Sequence, residues 1–191
     1  AVAARYTLVD SATVFMTHLT EVLRRESASL LTRTETDKLL ARVRQSQPAL
    51  VEELVPTVLS VSDIQRVLQN LLREKVSIRN LEAILETLAD AGRRSKDTTD
   101  LTEVVRHRLG HAICQGLLGE ANALQVMTLD PTIESQLLQS IQGAREGERA
   151  TANPMLVIEP KMAEQFIGRL VHQAEQMMKS NLLPVLLCAP D

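Results

Sequence analysis

Aromatic side chains are nearly missing from this sequence: two Phe, one Tyr and no Trp in 191 residues. That scarcity removes the stacking platforms on which single-stranded nucleic acids are held. Cysteine is as scarce, and Cys114 and Cys188 lie far apart. No disulfide framework is available, so a reducing compartment is the plain expectation. A basic excess is lacking too. The formal net charge of −3 argues against a nucleic-acid partner, which selects for a basic face. No stretch reaches the roughly 18 uninterrupted apolar residues of a bilayer-spanning helix. The start Ala1–Arg5, where charge follows soon, does not read as a signal peptide. What the chain does hold is aliphatic. Hydrophobic residues make up 45% of it, mostly Leu, Val, Ile and Ala, enough to fill the core of one large domain or two small ones.

Along the chain the hydrophobic period changes twice. Arg5–Val9 is a short extended run, and a lone strand is not stable, so residues 1–9 are expected to end a preceding subdomain. From Asp10 the period becomes helical. Asp10 or Ser11 caps a helix to about Glu26, with Val14, Leu19, Val22 and Leu23 inward. Thr34 and Asp37 resemble a capping box for a helix through Leu39, Leu40 and Val43 to about Gln45. Pro48 suits a first turn, and Pro56 stops the helix Leu50–Val55. Ser62 opens the stripe Ile64, Val67, Leu68, Leu71 and Leu72. Ser77 caps the next helix, on which Leu81, Ile84, Leu85 and Leu88 share a face, and Gly92 stops it. Asp97–Asp100 precedes a single helix from Leu101 to about Leu118, ended by Gly119.

Beyond Gly119 the pattern alternates as strand and helix. Leu124–Leu129 reads as a strand, and Asp130-Pro131 starts a helix to about Ile141. Residues 143–153 read as a polar loop, and Met155–Ile158 as a short strand. Pro160 starts a long helix to about Ser180, and Pro184–Cys188 is an apolar run of the buried-strand kind. The expected fold is mainly α with a small α/β unit. A helical subdomain spans 10–118, and a truncated α/β sandwich subdomain spans 119–191, incomplete at its C-terminus.

Few constellations carry chemistry. His107, His111 and Cys114 are spaced to share one helix face as zinc ligands would. The only other cysteine lies in the other unit, however, and surface histidines beside a small buried thiol give the simpler account. Ser11, Ser62 and Ser77 act as caps, and no nucleophile elbow surrounds them. Gly143 and Gly147 fit no phosphate-binding loop. Glu52 and Glu53 point about 100° apart on a helix and cannot face one substrate. No enzyme, no metal and no cofactor is expected. The hairpin 62–90 has the shape of a DNA-reading helix-turn-helix, with Arg79 and Asn80 in the first turn of its second helix. Glu82, Glu86 and Asp90 on the same helix would repel phosphates. A DNA-binding regulator is therefore the alternative rather than the main reading. Gln69, Asn70, Arg73, Glu74, Arg79 and Asn80 interrupt the apolar stripes where the two helices of that hairpin meet, and are weighed as a protein-contact surface against simple capping.

A more specific signal lies in blocks of the sequence itself. Arg5–Val14 followed by Thr17–Val22 resembles the Y-x-V-V-(D/E)-P-x-T-V-x-x-T-H-L-x-E segment of the type III secretion export-gate family (the FlhA/LcrD/InvA group). Val51–Pro56, Val67–Leu81, Ile84–Asp90, Asp100–Arg106 and Pro184–Leu187 resemble its further blocks. Two departures are Ser11, where proline is common, and His111, where a basic residue is often found. The resemblance implies a docking platform in the cytoplasmic portion of an inner-membrane protein of bacterial type III secretion, nearer the flagellar branch than the injectisome. It implies an N-terminal membrane domain outside this chain and a nonameric ring in the full-length protein, with the isolated piece monomeric. The implied partners are export chaperones, their substrates and the stalk protein of the associated ATPase, with no nucleic acid. It also gives the contact reading of the six polar residues more weight, since the resemblance is densest there.

Overall fold

In the computed structural model the described residues are 10–119, 121–146 and 160–188. They fall into two compact units, the first ending at Gly116 and the second beginning at Leu117. The chain is mainly helical with a small α/β unit, as its hydrophobic periods require.

The first unit holds α1 (Ser11–Leu30), α2 (Arg33–Ser46), α3 (Pro48–Glu53), α4 (Val61–Arg73), α5 (Leu81–Ala91), α6 (Thr98–Arg108) and all but the last two residues of α7 (Gly110–Leu118). Ile64, Val67, Leu68 and Leu71 of α4 form the centre of the core with Ile84, Leu85 and Leu88 of α5 and Leu101 and Val105 of α6. These residues recur at three- and four-residue spacing, so each helix turns a single aliphatic face inward. Leu40, Val43, Val51 and Leu54 close the other side of the core.

Several helix starts are fixed by a side chain, although α3 has none. Asp10 accepts the Thr13 N–H at 2.9 Å and the Thr13 hydroxyl at 2.6 Å, which fixes the start of α1. Asp97 and Asp130 likewise sit at the starts of α6 and α8 as expected, but three other caps differ from the sequence expectation by up to a turn. Thr32, not Thr34, caps α2. Ser60, not Ser62, caps α4 in a reciprocal box: its hydroxyl accepts from the Asp63 N–H at 3.2 Å, and Asp63 accepts from the Ser60 N–H at 3.1 Å. Asn80, not Ser77, caps α5. The physical reason is backbone geometry. Thr32 and Ser60 are extended, with ψ of 170° and 158°, whereas Thr34 and Ser62 already lie inside their helices and have no orphan N–H to receive.

The helical path does stop ahead of Pro56: α3 ends at Glu53, Val55 is extended with φ −119° and ψ 127°, and the Leu59 N–H reaches back to the Leu54 carbonyl at 2.9 Å across the wide turn Leu54–Val58. Other boundaries move. The expected single helix 101–118 is two, because the chain breaks at Leu109. Gly92 does follow α5, but with φ −65°. It is there for close packing rather than for left-handed backbone. The left-handed position after α4 is Lys75, at φ 61°. There the Val76 N–H bonds the Leu71 carbonyl at 2.9 Å and the Lys75 N–H bonds that of Leu72 at 3.0 Å, the paired arrangement that closes a helix end.

The inward face expected for α1 is also corrected. Val14, Leu19 and Leu23 are exposed, along with Phe15 at 63%, and among the residues of α1 only Ala28 is buried. At about 100° per residue, Phe15, Leu19 and Leu23 share a stripe on the side away from Ala28. The helix runs on to Leu30 rather than Glu26.

In the second unit β1 (Met127–Thr128) pairs in parallel with β2 (Leu186–Leu187), with Met127 opposite Leu186. A parallel pair needs a crossover, which runs through α8 (Pro131–Glu146) and α9 (Pro160–Lys179). Both strands are shorter than the apolar runs that suggested them. α8 continues past Ile141 through Gly143, so the first part of the expected polar loop is helical. The remainder of that loop and the expected strand Met155–Ile158 lie outside the described residues, as does Arg5–Val9.

Candidate functional site: two polar clefts of the helical unit

The six polar residues singled out around the α4–α5 connection do not form one surface. The structure divides them among three places. Gln69 joins Gln65 in donating to the Leu31 carbonyl, both at 3.0 Å, and so ties down the end of α1. That is a structural role.

Asn70, Arg73 and Glu74 line a cleft of about 300 Å³ between α4 and α6, completed by Thr99, Thr102, Glu103 and Arg106. Asn70 spans it: its Nδ2 donates to Thr102 Oγ1 at 3.1 Å, and its Oδ1 accepts from Arg73 Nη1 at 2.7 Å. Thr102 is buried and passes its own hydroxyl proton to the Thr98 carbonyl at 2.6 Å. Arg106 is held from both sides, by Glu74 at 3.1 Å and by Glu103 one turn earlier. The cleft is thus a satisfied polar network with its charges at the rim.

Arg79 and Asn80 face a second cleft, of about 450 Å³, between α2 and the start of α5. Leu39, Val43, Ile78 and Leu81 line it, with Arg42, Ser46 and Glu82 at its edge. Asn80 also serves as the α5 cap, accepting the Ala83 N–H at 3.4 Å. Sequence reasoning missed Arg42, Thr102 and Arg106. Arg106 closes one of the sequence blocks noted above, but nothing local placed it opposite Glu74. Arg42 carried no signal.

Neither cleft lining includes His or Cys, and the titratable acids are Glu82 in one and Glu74 and Glu103 in the other. Three carboxylates are held below the ordinary carboxylate range, all at helix starts. The Thr13 hydroxyl is the chief cause at Asp10, and the Thr99 and Thr132 backbone N–H groups are the chief causes at Asp97 and Asp130. These are caps, stabilised as anions by the helix N-terminus. His107 and His111 fall on opposite sides of the break at Leu109, and Cys114 is exposed rather than the small buried thiol expected. No group of three or more His, Cys, Asp or Glu among the described residues is arranged to hold a metal ion. The helix-turn-helix geometry is also absent. Residues 74–80 separate α4 from α5, longer than the three- to four-residue turn of that motif, and Glu82, Glu86 and Asp90 are the exposed positions of α5. No described helix is long and apolar enough to cross a membrane.

The FHIPEP family model matches residues 1–191. The flagellar biosynthesis protein FlhA of Bacillus subtilis (strain 168) is 39% identical over 185 residues, covering 97% of this chain and 26% of that protein. The structure of the Chlamydia pneumoniae CdsV and CdsO complex matches with a TM-score of 0.74 at 27% identity, covering 96% of this chain and 52% of the matched one. The nonameric EPEC SctV-C matches with a TM-score of 0.70 at 28% identity, covering 88% of this chain and 56% of the other. The chain thus spans only about a quarter of the length of the curated relatives it matches.

Proposed function

The chain belongs to the FHIPEP family of type III secretion export-gate proteins, and we propose that it is part of the gate's cytoplasmic docking platform, in the flagellar branch. The observation that carries the reading is the 39% identity to a flagellar biosynthesis protein along 97% of this chain, against 27% and 28% for the two structural relatives. In this reading the first nine residues end one subdomain, 10–118 is a helical subdomain and 119–191 an α/β subdomain. The whole protein is anchored in the inner membrane by a preceding domain and assembles into a ring like the nonameric relative. It receives export chaperones with their substrates, together with the ATPase stalk protein. No catalytic step is assigned to it.

Within that platform the contact residues are those whose side chains face the two clefts: Asn70, Arg73, Glu74, Arg79 and Asn80, with Gln69 bracing α1 behind them. Polar rims of this kind suit an assembly whose subunits must fit in register without adhering as monomers. The local concentration supplied by the anchor then drives assembly. The test is an Arg73→Glu, Arg79→Glu double substitution in the full-length protein. Both side chains are exposed, so the melting temperature of the 191-residue chain should move by less than about 4 °C, while secretion is abolished. Secretion that persists, or a chain that unfolds, would make these residues structural only.

A further inference from the structure

The cleft between α2 and α5 combines two features that a merely solvated groove does not need. Its floor is aliphatic: Val43 and Leu81 belong to the core, and Leu39 and Ile78 pack against it half-buried. Its edge carries two guanidinium groups, Arg42 and Arg79. Among the described residues neither is within ion-pair distance of a carboxylate. The one acid in the lining, Glu82, accepts from the Ser46 hydroxyl at 2.9 Å. Two unpaired cations bordering an apolar floor, on which Leu39 and Ile78 are half-buried, are complementary to an anionic, aliphatic ligand. Arginine's planar fork is matched to carboxylate.

We propose that the α2–α5 cleft binds a short peptide segment of a partner protein, with an aliphatic side chain on the floor and flanking carboxylates on Arg42 and Arg79. A phosphate backbone is the poorer fit. It would leave the floor uncovered, and it would meet the exposed Glu82, Glu86 and Asp90 that continue along α5. The inference deepens the docking reading, which already includes Arg79 and Asn80, and adds Arg42, Leu39 and Val43 to it.

The probe is a dye-labelled eight-residue peptide of alternating Leu and Glu, titrated into the 191-residue chain by fluorescence anisotropy and followed by amide chemical shifts. Saturable binding is expected, with shifts at Leu39, Val43, Ile78 and Leu81. Replacing each Glu of the peptide by Gln should weaken it at least tenfold, as should Arg42→Glu, while Arg94→Glu, at an exposed arginine outside both clefts, leaves it unchanged. Arg42→Gln keeps the stem of the side chain and serves if the charge reversal disturbs folding. No binding at millimolar peptide, equal binding of the Gln peptide, or shifts mapping elsewhere would overturn the inference. The two readings fail separately. Peptide binding that depends on Arg42 while the Arg73→Glu, Arg79→Glu protein still secretes leaves the cleft standing without the platform. Secretion lost in that double variant without peptide binding does the reverse.

Discussion

Gly92→Ala tests the core where the chain leaves α5. A Cβ placed on Gly92 would lie 2.7 Å from the Leu88 carbonyl oxygen, 2.8 Å from Val58 Cγ1 and 3.0 Å from Leu59 Cγ. Leu59 is among the most buried side chains, at 2% exposure, and one of the three contacts is backbone, so the neighbours have little room to retreat. Overpacking a closed core of this kind costs about 1–3 kcal/mol. Two features limit the net loss. The φ of −65° at Gly92 is one alanine adopts freely, and alanine's less flexible unfolded chain returns about 0.4–1 kcal/mol. The expected outcome is a destabilisation of about 1.5 kcal/mol. With a urea m-value of about 1.5 kcal/mol/M, the midpoint read by helical circular dichroism should fall by about 1 M. Gly116→Ala is the internal control, since that glycine lies inside α7 with nothing within 4 Å of its added Cβ. There the same substitution should raise stability by about 0.5–1 kcal/mol through helix propensity. If the two substitutions shift the midpoint in the same direction, the packing account of Gly92 is wrong.

Asp97→Ala removes the α6 cap, whose carboxylate accepts the Thr99 N–H at 2.6 Å, and should cost about 1 kcal/mol at pH 7. Because the folded pKa of Asp97 is lowered from 3.8, its contribution is whole above that value and fades as pH falls through the lower folded value. Parallel urea curves at pH 7 and pH 2.5 should therefore show the gap between wild type and variant narrowing, and an undiminished gap at pH 2.5 would refute the cap. Lys75→Gly relieves left-handed backbone at φ 61° and should stabilise by about 0.5 kcal/mol, the strain removed slightly exceeding the added chain entropy; a loss of stability in the same urea assay would contradict this. A double-mutant cycle of Asn70→Ala with Thr102→Val should return a coupling of about 1 kcal/mol for the α4–α6 bridge, and a value near zero would show the two residues acting independently.

Much of the helical unit was legible because its core obeys one rule. Ile64, Val67, Leu68 and Leu71, then Ile84, Leu85 and Leu88, recur at helical spacing, and all are fully buried. Caps were less legible. Thr32 and Thr34, or Ser60 and Ser62, lie within one turn of each other, and only the extended backbone at Thr32 and Ser60 decides between them. The break at Leu109 left no mark because the apolar period runs through it undisturbed. The stripe on α1 shows the opposite limit. Period alone identifies an apolar face, but not whether anything covers it.

The candidate site was hardest to read, for a reason built into helical geometry. A cluster of polar residues in sequence suggests one surface, yet neighbours on a helix diverge by about 100°. Gln69 therefore reaches Leu31 while Asn70 reaches Thr102. Beyond the end of α4, the left-handed turn at Lys75 carries Arg79 and Asn80 to the other side of the unit, against α2. What unites the residues of each cleft is instead a helix distant in the chain: α6 supplies Thr102 and Arg106, and α2 supplies Arg42. Pairings of that range depend on the order in which helices pack, which a hydrophobic pattern leaves open. The same geometry separates the two roles that the sequence had merged. The α4–α6 cleft is a network in which Arg106 is already neutralised by Glu74 and Glu103, so it can set register but has little charge to offer. The α2–α5 cleft keeps two arginines unpaired over an aliphatic floor, and of the two it is the one with binding energy still unspent.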